Sequence, residues 1–190
     1  TIKCPITIKA KVTENLKKQL TNELQDNLKK TDLELQQIDF QRLPSLESLE
    51  ISHNPILSSS EIRKLSALHT LRCLTLGFLA GVTELPQDFL ELKNVHFLML
   101  KKLSLTEIPD WLGNWESLET LGIESFSLQT LPESLVNLKN LKVLSISSSS
   151  FDHLPERFRE MRLEKLVYWQ SKFSGYNLKR EIYDVLISKD

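Results

Sequence analysis

The stretch LETLGIESFSLQTLPESLVNLKNLKVLSISSSSFDHLPERF, from Leu118 to Phe158, places its apolar residues in two matched sets 23 residues apart. Leu118, Leu121, Ile123 and Leu128 precede Leu131-Pro132, just as Leu141, Leu144, Ile146 and Phe151 precede Leu154-Pro155. The same set recurs upstream as Val95, Leu98, Leu100, Leu105 and Ile108-Pro109, and again as Leu71, Leu74, Leu76, Val82 and Leu85-Pro86. Leu46, Leu49, Ile51, Asn54 and Ile56 form an earlier unit, preceded by a weaker one with Leu33, Leu35, Ile38, Phe40 and Leu43-Pro44. Leu163, Leu166, Tyr168 and Phe173 continue the series downstream. Five of the seven prolines (Pro44, Pro86, Pro109, Pro132 and Pro155) share one position in it. A fixed period of 20 to 50 residues signals stacked units, each unable to bury its apolar side alone.

Each unit opens with the L-x-L alternation of a strand that buries one face. A polar, turn-prone stretch follows, then Leu-Pro, then apolar residues spaced three apart, as in Leu135, Leu138 and Leu141. Stacking such units predicts parallel strands about 4.8 Å apart, with turns or short helices behind them. The spacing from Leu46 to Leu71 is longer, at 25 residues. Ser58 and Glu61 there have the spacing of a capping box, which predicts a short helix carrying Ile62 and Leu65.

This pattern resembles the leucine-rich repeat, L-x-x-L-x-L-x-x-N-x-L, in the Leu-Pro form found in plant intracellular proteins and in bacteria, including pathogenic spirochaetes. The resemblance covers roughly Lys30 to Phe173. It departs at the ninth position, which holds Ile38, Asn54, Leu103, Phe126, Ser149 and Ser171; only Asn54 conforms. Packing or water must therefore hold the other turns. The resemblance implies an α/β right-handed solenoid with a parallel sheet on its concave side, a non-enzymatic role in protein binding, and a possible place among bacterial effector or virulence-associated proteins. Bacterial effectors that carry ubiquitin-ligase activity join this repeat to a large catalytic domain, which this sequence does not contain.

An open stack needs caps, so the chain reads as one domain: an N-terminal cap at 1–30, repeats at 31–173 and a C-terminal capping helix at 174–190. ITIKAKV alternates like a strand. VTENLKKQLTNELQDNLKK is an amphipathic helix with Leu16, Leu20, Leu24 and Leu28 on one stripe, and Thr13 can cap it. At the other end Asn177 can begin a helix with Leu178, Ile182, Val185 and Leu186 on one face.

Composition removes several function classes. The formal net charge is −1, which offers no electrostatic footprint for nucleic acid or an anionic membrane. No apolar run approaches the roughly 18 residues of a membrane span, and TIKCPITIKA lacks a signal-peptide h-region. Two cysteines, Cys4 and Cys73, make neither a disulfide framework nor a zinc spacing. They fit a reducing compartment, and equally a secreted bacterial protein without disulfides. There is no G-x-G pair for a phosphate loop and no G-x-S-x-G. His53, His69, His96 and His153 form no metal-binding spacing, although His53 lies near Glu34 and Glu50 and could take a metal adventitiously. Cys73 reads as an inert small residue rather than a nucleophile. The expectation is no catalytic residue, no cofactor and no metal.

The informative positions are the strand residues that the core leaves over. Between the two core positions of each strand lie Glu34, Glu50, Thr75, Met99, Gly122, Ser145 and Val167. Two residues earlier lie Asp32, Ser48, Cys73, Phe97, Thr120, Val143 and Lys165; two later, Gln36, Ser52, Gly77, Lys101, Glu124, Ser147 and Trp169. The first strands are polar and acidic. The later ones carry Phe97, Met99, Val143, Val167 and Trp169 around small residues, which predicts a shallow trough about 15 Å wide that is accessible to a protein partner. Met and Trp are frequent interface anchors, whereas single exposed apolar residues are ordinary on any protein. The chain is expected to be a monomer or a weak homodimer, and the other readings are a self-associating protein with the trough or a sheet edge as its dimer contact, and a binding fragment of a larger sensor or effector whose catalysis lies outside these residues. None of them involves nucleic acid or membrane.

Overall fold

The L-x-L alternation becomes a strand in every unit that the structure describes. The computed structural model describes residues 7–10, 46–54, 57–148, 154–170 and 180–181, with the backbone alone at 7–10, 148, 168–170 and 180–181. Its strands are β1 (Thr7–Ala10), β2 (Ser48–Ser52), β3 (Cys73–Gly77), β4 (Phe97–Lys101), β5 (Thr120–Ser125), β6 (Val143–Ser148), β7 (Lys165–Gln170) and β8 (Arg180–Glu181). They form one sheet in the order of the sequence. β2 to β7 pair in parallel, and β1 and β8 flank them antiparallel.

The register places like beside like. Leu74 pairs with Leu98, Leu98 with Leu121, Leu121 with Leu144 and Leu144 with Leu166. The first three of these pairs point into the core, and Leu74, Leu98, Leu121 and Leu144 are all fully buried. Burial of each such side chain contributes about 1.5–3 kcal/mol.

The Leu-Pro step has a clear local role. Pro86, Pro109, Pro132 and Pro155 each stand immediately before a five-residue 3-10 turn, at 87–91, 110–114, 133–137 and 156–160. The fixed φ of proline suits that extended entry, and its missing N–H is not needed there. Its carbonyl accepts the first bond of the turn, from Phe89, Leu112, Leu135 and Phe158 at 3.0–3.2 Å. These turns bury Phe89, Leu112, Leu135 and Phe158 against the sheet. Leu92, Trp115 and Leu138 then close them, and the Trp115 indole N–H donates to the Leu92 carbonyl of the preceding unit at 3.2 Å.

The longer early unit holds the expected helix as a single α turn, Ser59–Ile62, that tightens into 3-10 geometry over Arg63–Ala67. The Ser58 N–H donates to Glu61 Oε2 at 2.9 Å, and Ile62 and Leu65 are fully buried.

A polar ladder ties the units together just before the strands. Thr70 and Ser117 donate to the carbonyls of Leu46 and Val95, and the Asn94 and Asn140 amides donate to those of His69 and Glu116, at 2.7–2.9 Å. Thr70, Asn94, Ser117 and Asn140 occupy one repeat position. This ladder supplies hydrogen bonds that the ninth position provides only in part. There, Asn54 Oδ1 accepts from the Leu57 N–H at 3.1 Å, and one residue earlier in its own unit Ser125 Oγ accepts from Ser127 and Leu128. Leu103 is instead buried by packing.

At the ends, the strand expected in ITIKAKV is β1. The helix expected over Leu16–Leu28 and the first repeat unit lie outside the described residues. Arg180–Glu181, placed by the sequence pattern in a helix starting at Asn177, are a strand instead. The free edge of β7 presents unpaired N–H and C=O groups, and pairing with β8 satisfies them. The rest of the expected C-terminal cap lies outside the described residues. What is established of the architecture is an α/β arrangement with a six-stranded parallel sheet and few helical residues.

Candidate functional site

The side of the sheet opposite the core carries the alternate strand residues. Pairing lines up Phe97, Thr120, Val143 and Lys165 in one row, and Met99, Gly122, Ser145 and Val167 in the next. Phe97, Met99, Val143 and Val167 are half-buried rather than fully open. Trp169 belongs to β7, and its side chain lies outside the described residues.

Gly122 explains part of this burial. A Cβ there would collide with Cε and Sδ of Met99, so the thioether lies across the glycine and fills the middle of the expected trough. The open space is displaced toward the carboxyl ends of the strands. A shallow depression of about 230 Å³ is lined there by Met99, Lys101, Ile123, Glu124, Ser145 and Ser147.

A second feature lies next to it, immediately after the strands. His53, Phe78 and Lys102 follow β2, β3 and β4, and all three have positive φ, at 60°, 56° and 49°. No glycine relieves this left-handed geometry, which costs on the order of 1–3 kcal/mol per residue. Three inter-strand bonds hold it in place: His53 N–H to Gly77 O, Phe78 N–H to Lys101 O and Lys102 N–H to Glu124 O, at 2.6–3.0 Å. The result is a surface stack. The His53 and Phe78 rings lie 4.3 Å apart and nearly parallel. Lys102 Nζ sits 5.1 Å from the Phe78 ring and 5.3 Å from that of Phe126, within cation–π range, and 3.4 Å from Glu124 Oε1. Phe78 and Phe126 are the large apolar residues most exposed among the described residues, at 40% and 53%.

Electrostatics elsewhere on this face are those of surface pairs. Lys142 Nζ lies 2.7 Å from Glu119 Oε2. That hydrogen bond and the attached charge hold the Glu119 carboxyl below its ordinary range and raise the Lys142 ammonium. Among the described residues, no group of three or more His, Cys, Asp or Glu side chains could hold a metal. His53, considered above beside Glu50, spends its ring face on Phe78. No helix among the described residues is long and apolar enough to cross a membrane.

Of the five residues predicted to form the binding surface, the structure brings Phe97, Met99, Val143 and Val167 onto one face. It does not leave them as the rim of an empty trough. The stack of His53, Phe78 and Lys102 has no counterpart in the sequence reading. Its only signal was an aromatic or long basic residue directly after three successive strands, and positive φ is uncommon at Phe and Lys.

Among protein families, the model of one described as YlqD protein matches residues 1–68. No curated protein matches the chain. The match is to YlqD and not to a leucine-rich-repeat family, which overturns the family resemblance drawn from the repeat. The physical reason is plain in the fold. Apolar residues recurring at a fixed interval are what a stack of parallel strands requires of its core, so the spacing by itself does not establish a family. The match ends at residue 68, before the four regular units that begin at Leu71, Val95, Leu118 and Leu141.

Proposed function

We propose that this chain is a non-enzymatic protein-binding module whose units stack into a right-handed solenoid, with the side of the sheet opposite the core as its concave binding face. The observation that carries this reading is the composition of that face. Phe97, Met99, Val143 and Val167 are apolar, share one face of the sheet and are only half-buried, while the alternate residues of the same strands face the core. Folding does not need large apolar residues there, and apolar residues gathered on one partly exposed face are characteristic of interaction sites. The register supports the solenoid, since each strand adds beside the previous one in sequence order.

The test is affinity capture from an extract of the source cells, comparing the parent with Met99→Lys–Val143→Lys, followed by titration of the purified captured protein. Association weakened by about tenfold or more in the double variant, with an unchanged melting temperature, supports the reading, because a few buried anchors dominate most interfaces. A captured protein that binds both forms equally would place its site elsewhere.

A further inference from the structure

We infer that the depression at the carboxyl ends of β4, β5 and β6 is a subsite for an acidic side chain of the protein partner, with Lys101 as its cationic anchor. This rests on the binding face proposed above and assigns it a chemical preference.

The charge arrangement points that way. Glu124 is the anion of the lining, and Lys101 is its neighbour in the ladder. Yet Glu124 pairs with Lys102, at 3.4 Å, and not with Lys101. Lys102 is held to that task by the stack, with its ammonium between the rings of Phe78 and Phe126 and its backbone bonded to the Glu124 carbonyl. Lys102 therefore partners Glu124 without itself lining the depression. Lys101 has no ion-pair partner among the described residues, which leaves one uncompensated positive charge at the depression. Ser145 and Ser147 line its far side with hydroxyls that make no hydrogen bond among the described residues. Lys101, Ser145 and Ser147 thus bring three donor groups to the lining of a space of about 230 Å³ that Met99 also lines. A carboxylate on a short aliphatic stem matches that set: the oxygens accept from Lys101 and the serines, and the methylenes rest on Met99. A cationic side chain would meet Lys101 with like charge and find Glu124 already paired.

The experiment uses the full chain, isotopically labelled, and follows backbone amide shifts during titration with three peptides: acetyl-GDEEDG-amide, its uncharged analogue acetyl-GNQQNG-amide, and acetyl-GKKKKG-amide. The acidic peptide should move the amides of Lys101, Ser145 and Ser147 saturably, and the other two should bind at least about tenfold more weakly. Lys101→Met should weaken the acidic peptide by about tenfold, as expected for loss of one charge-assisted contact, while Lys64→Met should not. Lys102→Met should also weaken it, by releasing the Glu124 charge, and Lys101→Met–Lys102→Met should turn the preference toward the basic peptide. Equal binding of the charged and uncharged peptides, shifts centred on other residues, no shifts at all, or indifference to Lys101→Met would each overturn the subsite. Failure here is separable from failure of the binding face, which is decided by the capture comparison with Met99→Lys–Val143→Lys.

Discussion

The two faces of the same strands obey different rules. On the core face, Leu74, Leu98, Leu121 and Leu144 repeat one residue type at one position and are fully buried. On the other face the paired positions run Thr75, Met99, Gly122, Ser145 and Val167, with no repetition of type. Stacking forces the first set to be uniform, because each leucine packs on its equivalents above and below. It leaves the second set unconstrained by folding. Variation confined to one face of a regular sheet is where a binding specificity can be written.

Substitutions can break or sharpen that contrast. The largest effect belongs to the core. Leu121→Ala removes a fully buried side chain from the middle of the stack and should destabilise the chain by about 2–5 kcal/mol in denaturant unfolding. A loss within experimental error would break the contrast.

The next two compare one substitution on the two sides of the sheet. A methyl group at Gly113 would collide with the backbone carbonyl of Ser134 in the next turn. Backbone of a packed neighbouring turn cannot move aside cheaply, so Gly113→Ala should cost about 1–3 kcal/mol. At Gly122 the methyl meets the end of the Met99 side chain, an unbranched and flexible group. Gly122→Ala should therefore cost less than Gly113→Ala, under about 1 kcal/mol, because the thioether can swing aside. Equal costs in calorimetric melting would show that the outer face is packed as tightly as the turn side.

Much of the fold was legible in the sequence because its strands pair in sequence order, each beside the one before it. The alternation in LKVLSI and the Leu-Pro step both follow from contacts with adjacent units, so they recur at the period of the stack. The exchange at Arg180–Glu181 was not legible. A strand at a sheet edge is decided by the open hydrogen-bonding groups of β7, which no local pattern around Asn177 encodes. The turn ladder of Thr70, Asn94, Ser117 and Asn140 was hidden for a different reason: the bond needs only a short polar side chain, so the type varies while the role stays. At the candidate site, the residues were identifiable by subtraction from the core. Their arrangement was not, because Met99 crosses to the next strand and the left-handed residues His53, Phe78 and Lys102 are held by inter-strand bonds. The family resemblance failed because a packing period was read as an ancestry.

The most direct test of the separation between the folding face and the proposed binding face is denaturant unfolding of Leu144→Ala beside Met99→Lys–Val143→Lys. Leu144 and Val143 are consecutive residues of β6 that face opposite sides of the sheet. The account predicts a loss of about 2–5 kcal/mol for the first variant and under about 1 kcal/mol for the second, with both unfolding cooperatively. A double variant that loses as much stability as Leu144→Ala would contradict it, and would place Met99 and Val143 in the core.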